Sequence, residues 1–239
     1  LKQLNENTSE NKNTIDQKTL VKNEPKYETI STEKKLDEWI AKLKNSDLVA
    51  IDTETTSLNY MMAEIVGISF SVTANHAAYV PLQHNYVGAP KQLSLKNTLN
   101  KLKPILEDAT KRKVGQNLKY DQEVFANYKI NLRGIEHDTM LASYVLNSTA
   151  TRHNLDALAL NYLNIKTIHY EDVAGKGAKQ ISFNQVSIEE AAPYACEDAE
   201  VVIKLNSVLT SKLKKIPSLE KIYRTIEVPL IPVLSRIER

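Results

Sequence analysis

The sequence predicts an α/β domain in which a mixed β-sheet is flanked by helices. Short apolar runs of strand length come first, strand–helix alternation follows, and no run approaches the length of a membrane span. The 239 residues, 42% hydrophobic and 25% charged, suffice for one generous domain with a sizeable core.

Each element has a local reason. Residues 1–25 are polar, rich in Asn, Lys, Glu, Thr and Ser, and bury too little to offset their ordering entropy; they read as a disordered linker or arm. Tyr27 to Ile30 is a short strand. Ser31 or Thr32 can cap a helix whose apolar face holds Leu36, Trp39, Ile40 and Leu43. The run Leu48-Val49-Ala50-Ile51 is too short for a helix and reads as a buried strand. Ile65 to Val72 and Ala77 to Val80, with a turn around Thr73 to His76, complete an antiparallel meander. Helix then dominates. Leu93 to Glu107 has helical rhythm, with Pro104 as its flaw, and Lys113 to Gly115 is a brief strand. Asn117 caps a helix running to about Asn127, and Asp138 caps another to Leu146. Asn154 to Leu163 and Ile188 to about Lys215 are further helices, the last with Pro193 early in it. Between them, Ala174 to Ser182 is a glycine-containing flexible loop. The apolar stretch from Ile226 to Leu234 looks like the opening of something larger, and a start at Leu1 reads as a fragment.

Composition excludes some chemistry. Lysine and arginine number 31 against 29 acidic residues, so a nucleic-acid footprint must be local rather than carried by bulk charge. Lone Cys196 forbids an internal disulfide and fits a reducing compartment. No signal peptide is legible, and a cytoplasmic address is expected. The histidines at 76, 84, 137, 153 and 169 lack zinc-ligand spacing, and Gly175-Lys176-Gly177 lacks the spacing of a phosphate-binding Walker loop. The groups Lys111-Arg112-Lys113 and Lys212, Lys214, Lys215 read as solvated faces.

Three acidic stretches stand out. Asp52 and Glu54 follow the buried strand two residues apart, so both point from one face of the sheet. Two anions side by side repel unless a cation lies between them. Asp121 lies four residues after Asn117, in the first turns of a helix, and both face one way. Tyr194 and Asp198 share a helix face from which Glu197 is turned away. Oxygen-rich sites of this kind suit hard divalent cations, and paired cations cleave phosphodiesters.

Val49-Ala50-Ile51-Asp52-Thr53-Glu54-Thr55-Thr56-Ser57-Leu58, Val114-Gly115-Gln116-Asn117-Leu118-Lys119-Tyr120-Asp121 and Tyr194-Ala195-Cys196-Glu197-Asp198-Ala199 resemble the three motifs of the proofreading exonuclease domain of bacterial family A DNA polymerases. His137 to Leu141, Arg152 to Asp156, Gly175 to Gly177 and Phe183 to Gln185 extend the likeness over about Tyr27 to Arg239. The resemblance implies a ribonuclease-H-like fold, with an exonuclease domain over 26–215 and the truncated start of a polymerase junction over 216–239. It implies 3′→5′ hydrolysis of single-stranded or frayed DNA ends by two Mg²⁺ or Mn²⁺ ions, releasing nucleoside 5′-monophosphates. Asp52, Glu54 and Asp198 would hold one ion, and Asp52 would bridge to a second attended by Asp121. One ion activates a water and the other neutralises the departing oxygen. Tyr194 would orient the water rather than act as base, since a phenol has a pKa of ~10.

By the same likeness Leu58 and Phe183 would pack on terminal bases, while Gln116, Asn117, Tyr120 and Arg152 would touch sugar or phosphate. The partners implied are a DNA 3′ end and the polymerase domain of the same parent chain, with the protein a monomer in the bacterial cytoplasm at the nucleoid. Two rivals stay open at this point: a related 3′→5′ exoribonuclease sharing the carboxylate plan, and a catalytically silent DNA-binding or spacer module.

Overall fold

The structure, a computed structural model, describes residues 24–149 and 152–239. The expected N-terminal arm therefore lies outside the described residues, apart from its last two positions. In chain order the elements are β1 (Lys26–Thr29), α1 (Glu33–Asn45), β2 (Leu48–Thr55), β3 (Ile65–Thr73), β4 (His76–Pro81), α2 (Leu95–Leu106), β5 (Arg112–Gly115) and α3 (Leu118–Asn127). There follow β6 (Ile135–Asp138), α4 (Thr139–Leu146), α5 (Leu155–Leu158), α6 (Tyr170–Ala174), α7 (Ile188–Lys214), α8 (Pro217–Ile222) and α9 (Val228–Glu238).

Among the described residues the strands form one mixed six-stranded sheet in the order β1-β4-β3-β2-β5-β6. The meander is there: β2 and β4 both run antiparallel to β3. Parallel pairing of β5 with β2, of β6 with β5 and of β1 with β4 completes it. Side-chain alternation then builds two layers. Val49 and Ile51 of β2, with Ile68 and Phe70 of β3, pack under Leu36, Trp39 and Leu43 of α1, Leu99 and Leu102 of α2, and Phe125 of α3. On the opposite face, Val66, Ala77 and Tyr79 meet Ala191, Ala195 and Cys196 of α7. Ala50 meets Val202 of the same helix. Alanines at this contact let the long helix lie close to the sheet, and α7 continues through Pro193.

Several boundaries differ from expectation. Thr32 is the cap of α1, accepting from the Lys35 N–H. Asn117 precedes α3 but does not cap it; it adopts the left-handed conformation (φ 61°) and its side chain makes no capping bond. Strand β6 and helix α6 have no counterpart in the sequence reading. Residues 216–239 pack onto the domain: Tyr223 is buried, its hydroxyl accepts from the Asp138 N–H at 2.8 Å, and Arg239 reaches Glu123 on α3.

Candidate active site

Strand β2 outruns its neighbour. Its pairing with β5 ends at Ala50, so Asp52 and Glu54 project past the end of β5 into a cleft of about 630 Å³. A register shift against β3 falls between Glu54 and Thr55, where the strand turns away. Gly115 closes β5 here: a Cβ would lie 2.4 Å from the Leu118 side chain and 3.0 Å from the Ile51 carbonyl, so no larger residue lets α3 start this close.

From the α7 side Asp198 joins Asp52 and Glu54, and one carboxylate oxygen from each lies within 4.8 Å of the others. Asp121 enters from α3, lines the same cleft and stands outside that trio. Its Oδ1 accepts from the Thr53 N–H at 3.0 Å and the Thr53 hydroxyl at 2.6 Å, so one oxygen is committed to β2. Tyr194, one turn before Asp198, lines the cleft and hydrogen-bonds the Asp198 carboxylate. Glu197 does face away and accepts from the Ile168 N–H.

The electrostatics are those of a site built around positive charge. Burial pushes the Asp52 carboxyl up to about 6. Glu54, Asp121 and Asp198 are also raised, first by burial and then by Asp52. Burial followed by the Asp198 charge raises the Tyr194 phenol, which stays neutral. All donors in the cluster are carboxylate oxygens, the donor set of a hard divalent cation rather than of zinc. The residues fit such an ion.

Four of the expected substrate contacts line the cleft: Leu58, Gln116, Asn117 and Tyr120. Leu58 is 93% exposed. The Tyr120 hydroxyl donates to the Ser57 carbonyl at 2.5 Å, fixing the turn that presents Leu58. Gln116 donates to the His153 carbonyl (2.7 Å) and accepts from the Thr139 hydroxyl (2.5 Å), so its amide already spans three segments. The other two are elsewhere. Arg152 is exposed and outside the cleft lining. Phe183 is 1% exposed and belongs to the core under α7, because Tyr170 and Tyr194 cover it. Sequence reasoning missed Thr53, Tyr170 and Gln180, all three of which line the cleft.

Residues 27–214 match the family profile described as 3′–5′ exonuclease. The chain belongs to the 3′–5′ exonuclease family. DNA polymerase I of Pseudomonas aeruginosa is 52% identical over 223 residues, covering 92% of this chain and 24% of that protein. DNA polymerase I of Rhizobium leguminosarum is 42% identical over 229 residues, covering 89% of this chain and 22% of that protein. The exonuclease chain thus spans about a quarter of the length of these relatives.

Among solved structures, the POL domain of Pol1 from M. smegmatis, in complex with DNA primer-template and dNTP, aligns with a TM-score of 0.69 at 18% identity, covering 90% of this chain and 32% of that one. Escherichia coli RNase D, an exoribonuclease, aligns with a TM-score of 0.63 at 16% identity, covering 88% and 50%. These likenesses show the ribonuclease-H-like fold, and the relatives with higher identity are DNA polymerases I. The domain is a 3′–5′ exonuclease whose acidic cluster suits metal-dependent hydrolysis. Among the described residues no helix is long and apolar enough to cross a membrane.

Proposed function

We propose that residues 26–215 hydrolyse the terminal phosphodiester of single-stranded or frayed DNA 3′ ends, as the proofreading domain of a bacterial DNA polymerase I. The observation that carries this reading is the gathering of Asp52, Glu54 and Asp198, with Asp121 and Tyr194, in one cleft of a 3′–5′ exonuclease family member. In this reading Asp52, Glu54 and Asp198 would hold one Mg²⁺ or Mn²⁺, and Asp121 would serve with Asp52 toward a second. Such ions lower the pKa of water and neutralise charge on a departing oxygen.

The chain's own groups do the rest. Tyr194 keeps its proton, donates a hydrogen bond to Asp198, and offers a hydroxyl lone pair to orient the attacking water. Leu58 wedges against a base of the frayed end, and Asn117 and Tyr120 steady the sugar–phosphate chain. Water attacks phosphorus, the bond to the 3′-oxygen of the penultimate nucleotide breaks, that oxygen gains a proton, and a nucleoside 5′-monophosphate leaves. Residues 216–239 would lead into the polymerase domain of the parent chain, and the protein works as a monomer at the bacterial nucleoid.

Hydrolysis of a 3′-labelled DNA strand with Mg²⁺ or Mn²⁺, against Asp52→Ala and Asp198→Ala, tests this. Label release by the parent and its loss in both variants is expected. Activity retained in both variants ends the assignment, and equal rates on a matched RNA strand would move it to an exoribonuclease.

A further inference from the structure

Asp121 is held by Thr53 and Asp198 by Tyr194, whereas among the described residues no hydrogen bond engages the Glu54 carboxylate. What lies beside it is a buried phenol. Glu54 pairs across the sheet with Gly67, and directly opposed residues share a face with their Cβ positions about 4.5–5.5 Å apart. Tyr79 stands on that face two residues before Pro81, the β4 partner of Gly67, and leans over the glycine. A Cβ on Gly67 would coincide with the hydroxyl end of the Tyr79 ring. The hydroxyl therefore fills the side-chain place next to Glu54, and burial followed by the Glu54 charge raises its pKa. A phenol so placed ordinarily donates to the carboxylate, in a strong charge-assisted bond.

Tyr79 donates elsewhere. Its oxygen is 2.8 Å from His84 Nε2, and His84 Nδ1 is 2.9 Å from the Val186 carbonyl oxygen. A carbonyl only accepts, so Nδ1 carries a proton. Burial holds the imidazole below the usual histidine range, against the Val186 bond and the Glu189 charge, so at neutral pH it has that one proton and Nε2 accepts. The Tyr79 proton thus points to His84 and away from Glu54. The backbone beneath this ring is fixed as well: Gln92 accepts from the His84 N–H at 2.8 Å and donates to the His84 carbonyl at 2.7 Å.

We propose that His84 is a positioning residue for the ion site: it engages the Tyr79 hydroxyl, and so leaves the Glu54 carboxylate uncapped and open to a divalent cation. This rests on the exonuclease reading above.

The test titrates full chains carrying His84→Phe, His84→Gln, Tyr79→Phe and the His84→Phe/Tyr79→Phe pair with Mn²⁺ by calorimetry, without DNA, at pH 7.5. The same chains are assayed on the 3′-labelled strand across Mn²⁺ concentration. His84→Phe keeps a ring but no acceptor, so Tyr79 turns to Glu54 and Mn²⁺ affinity should fall roughly tenfold. Adding Tyr79→Phe removes the competing donor and should restore affinity to within about twofold of the parent. His84→Gln can accept from Tyr79 and donate to Val186, and should bind as the parent does, as should Tyr79→Phe alone. Parent-like affinity in His84→Phe, or a double variant as weak as His84→Phe, overturns the proposal. Nitrogen NMR of the unaltered chain supplies an arm that needs no variant: a His84 proton on Nδ1 alone is expected, and one on Nε2 also overturns it. A parent that shows this Mn²⁺ pattern and never hydrolyses DNA sinks the enzymatic reading and leaves the role of His84 standing. Hydrolysis with equal Mn²⁺ affinities throughout does the opposite.

Discussion

Two buried acidic sites lie on the strands either side of β5, and they solve the burial problem in opposite ways. Asp138 is 1% exposed at the end of β6, and its two oxygens collect backbone donors from two helices. Asn117 N–H (3.3 Å) and Leu141 N–H (3.1 Å) meet Oδ1, while Leu118 N–H (2.7 Å) meets Oδ2. Burial lifts its carboxyl, and those N–H groups pull it back. At Asp52 burial raises the carboxyl, and its charge in turn raises Glu54, Asp121 and Asp198. One buried acid is completed by the fold; the other cluster is completed only by something that arrives. That difference separates a structural carboxylate from a functional one better than burial does.

The strongest way to break the comparison is to neutralise each site in turn. Asp52→Asn should lower exonuclease activity at least about a thousandfold, roughly 4 kcal/mol of barrier. In chelator at pH 7.5 the same variant should melt no lower than the parent and up to a few degrees higher, since it relieves repulsion among three neighbours. Asp138→Ala should do the reverse to stability. Stripping the caps from α3 and α4 leaves buried donors unpaired and should cost about 2–4 kcal/mol in urea unfolding. A melting loss for Asp52→Asn as large as for Asp138→Ala would erase the distinction.

A divalent cation should sharpen it. Because ions bind the assembled cluster and not the unfolded chain, Mg²⁺ at a hundred times its dissociation constant should stabilise the parent by about 2.7 kcal/mol. Asp52→Asn should show much less of this gain in thermal melts, while Asp138→Ala, starting lower, should show most of it. Equal Mg²⁺ shifts in all three proteins would place the ion elsewhere.

The contrast also explains what was legible in the sequence. Strands β2, β3 and β4 and helices α1 and α7 are strongly patterned over many residues, and their packing follows the pattern. The carboxylates could be read because residues i, i+2 on a strand and i, i+4 on a helix must share a face. What failed depends on distant partners. Strand β6 is four residues of Ile-Glu-His-Asp with no alternation to betray it, and exists because β5 and the Tyr223 hydroxyl lie alongside. Asn117 looks like a cap, yet Asp138 from another strand takes the Leu118 N–H and leaves Asn117 left-handed. Phe183 was expected at the substrate and lies in the core, since α6, itself unread, lays Tyr170 over it. That Asp121 would give one oxygen to Thr53 needs the α3–β2 contact and is invisible locally.

His137, one residue before Asp138, supplies the smallest test. Its ring is stacked on Tyr223 (6.0 Å, 7°), and burial, with Arg224, Arg112 and Lys214 nearby, lowers its pKa to about 4 against the pull of Glu136. Between about pH 6.5 and 4 the unfolded chain binds a proton here that the folded chain refuses. This contribution is therefore fully present above pH 6.5 and drains away as the pH falls through that window. By pH 5 the loss should amount to roughly 2 kcal/mol. His137→Gln removes the titration, so its urea midpoint should fall less than the parent's between pH 7.5 and 5, whatever its starting stability. The Asp52 cluster bends the pH profile the other way, because carboxyls raised in the folded state take up protons there first. Combining His137→Gln with Asp52→Asn should separate the two slopes, and parallel profiles for parent and His137→Gln would show that the histidine is not the group refusing the proton.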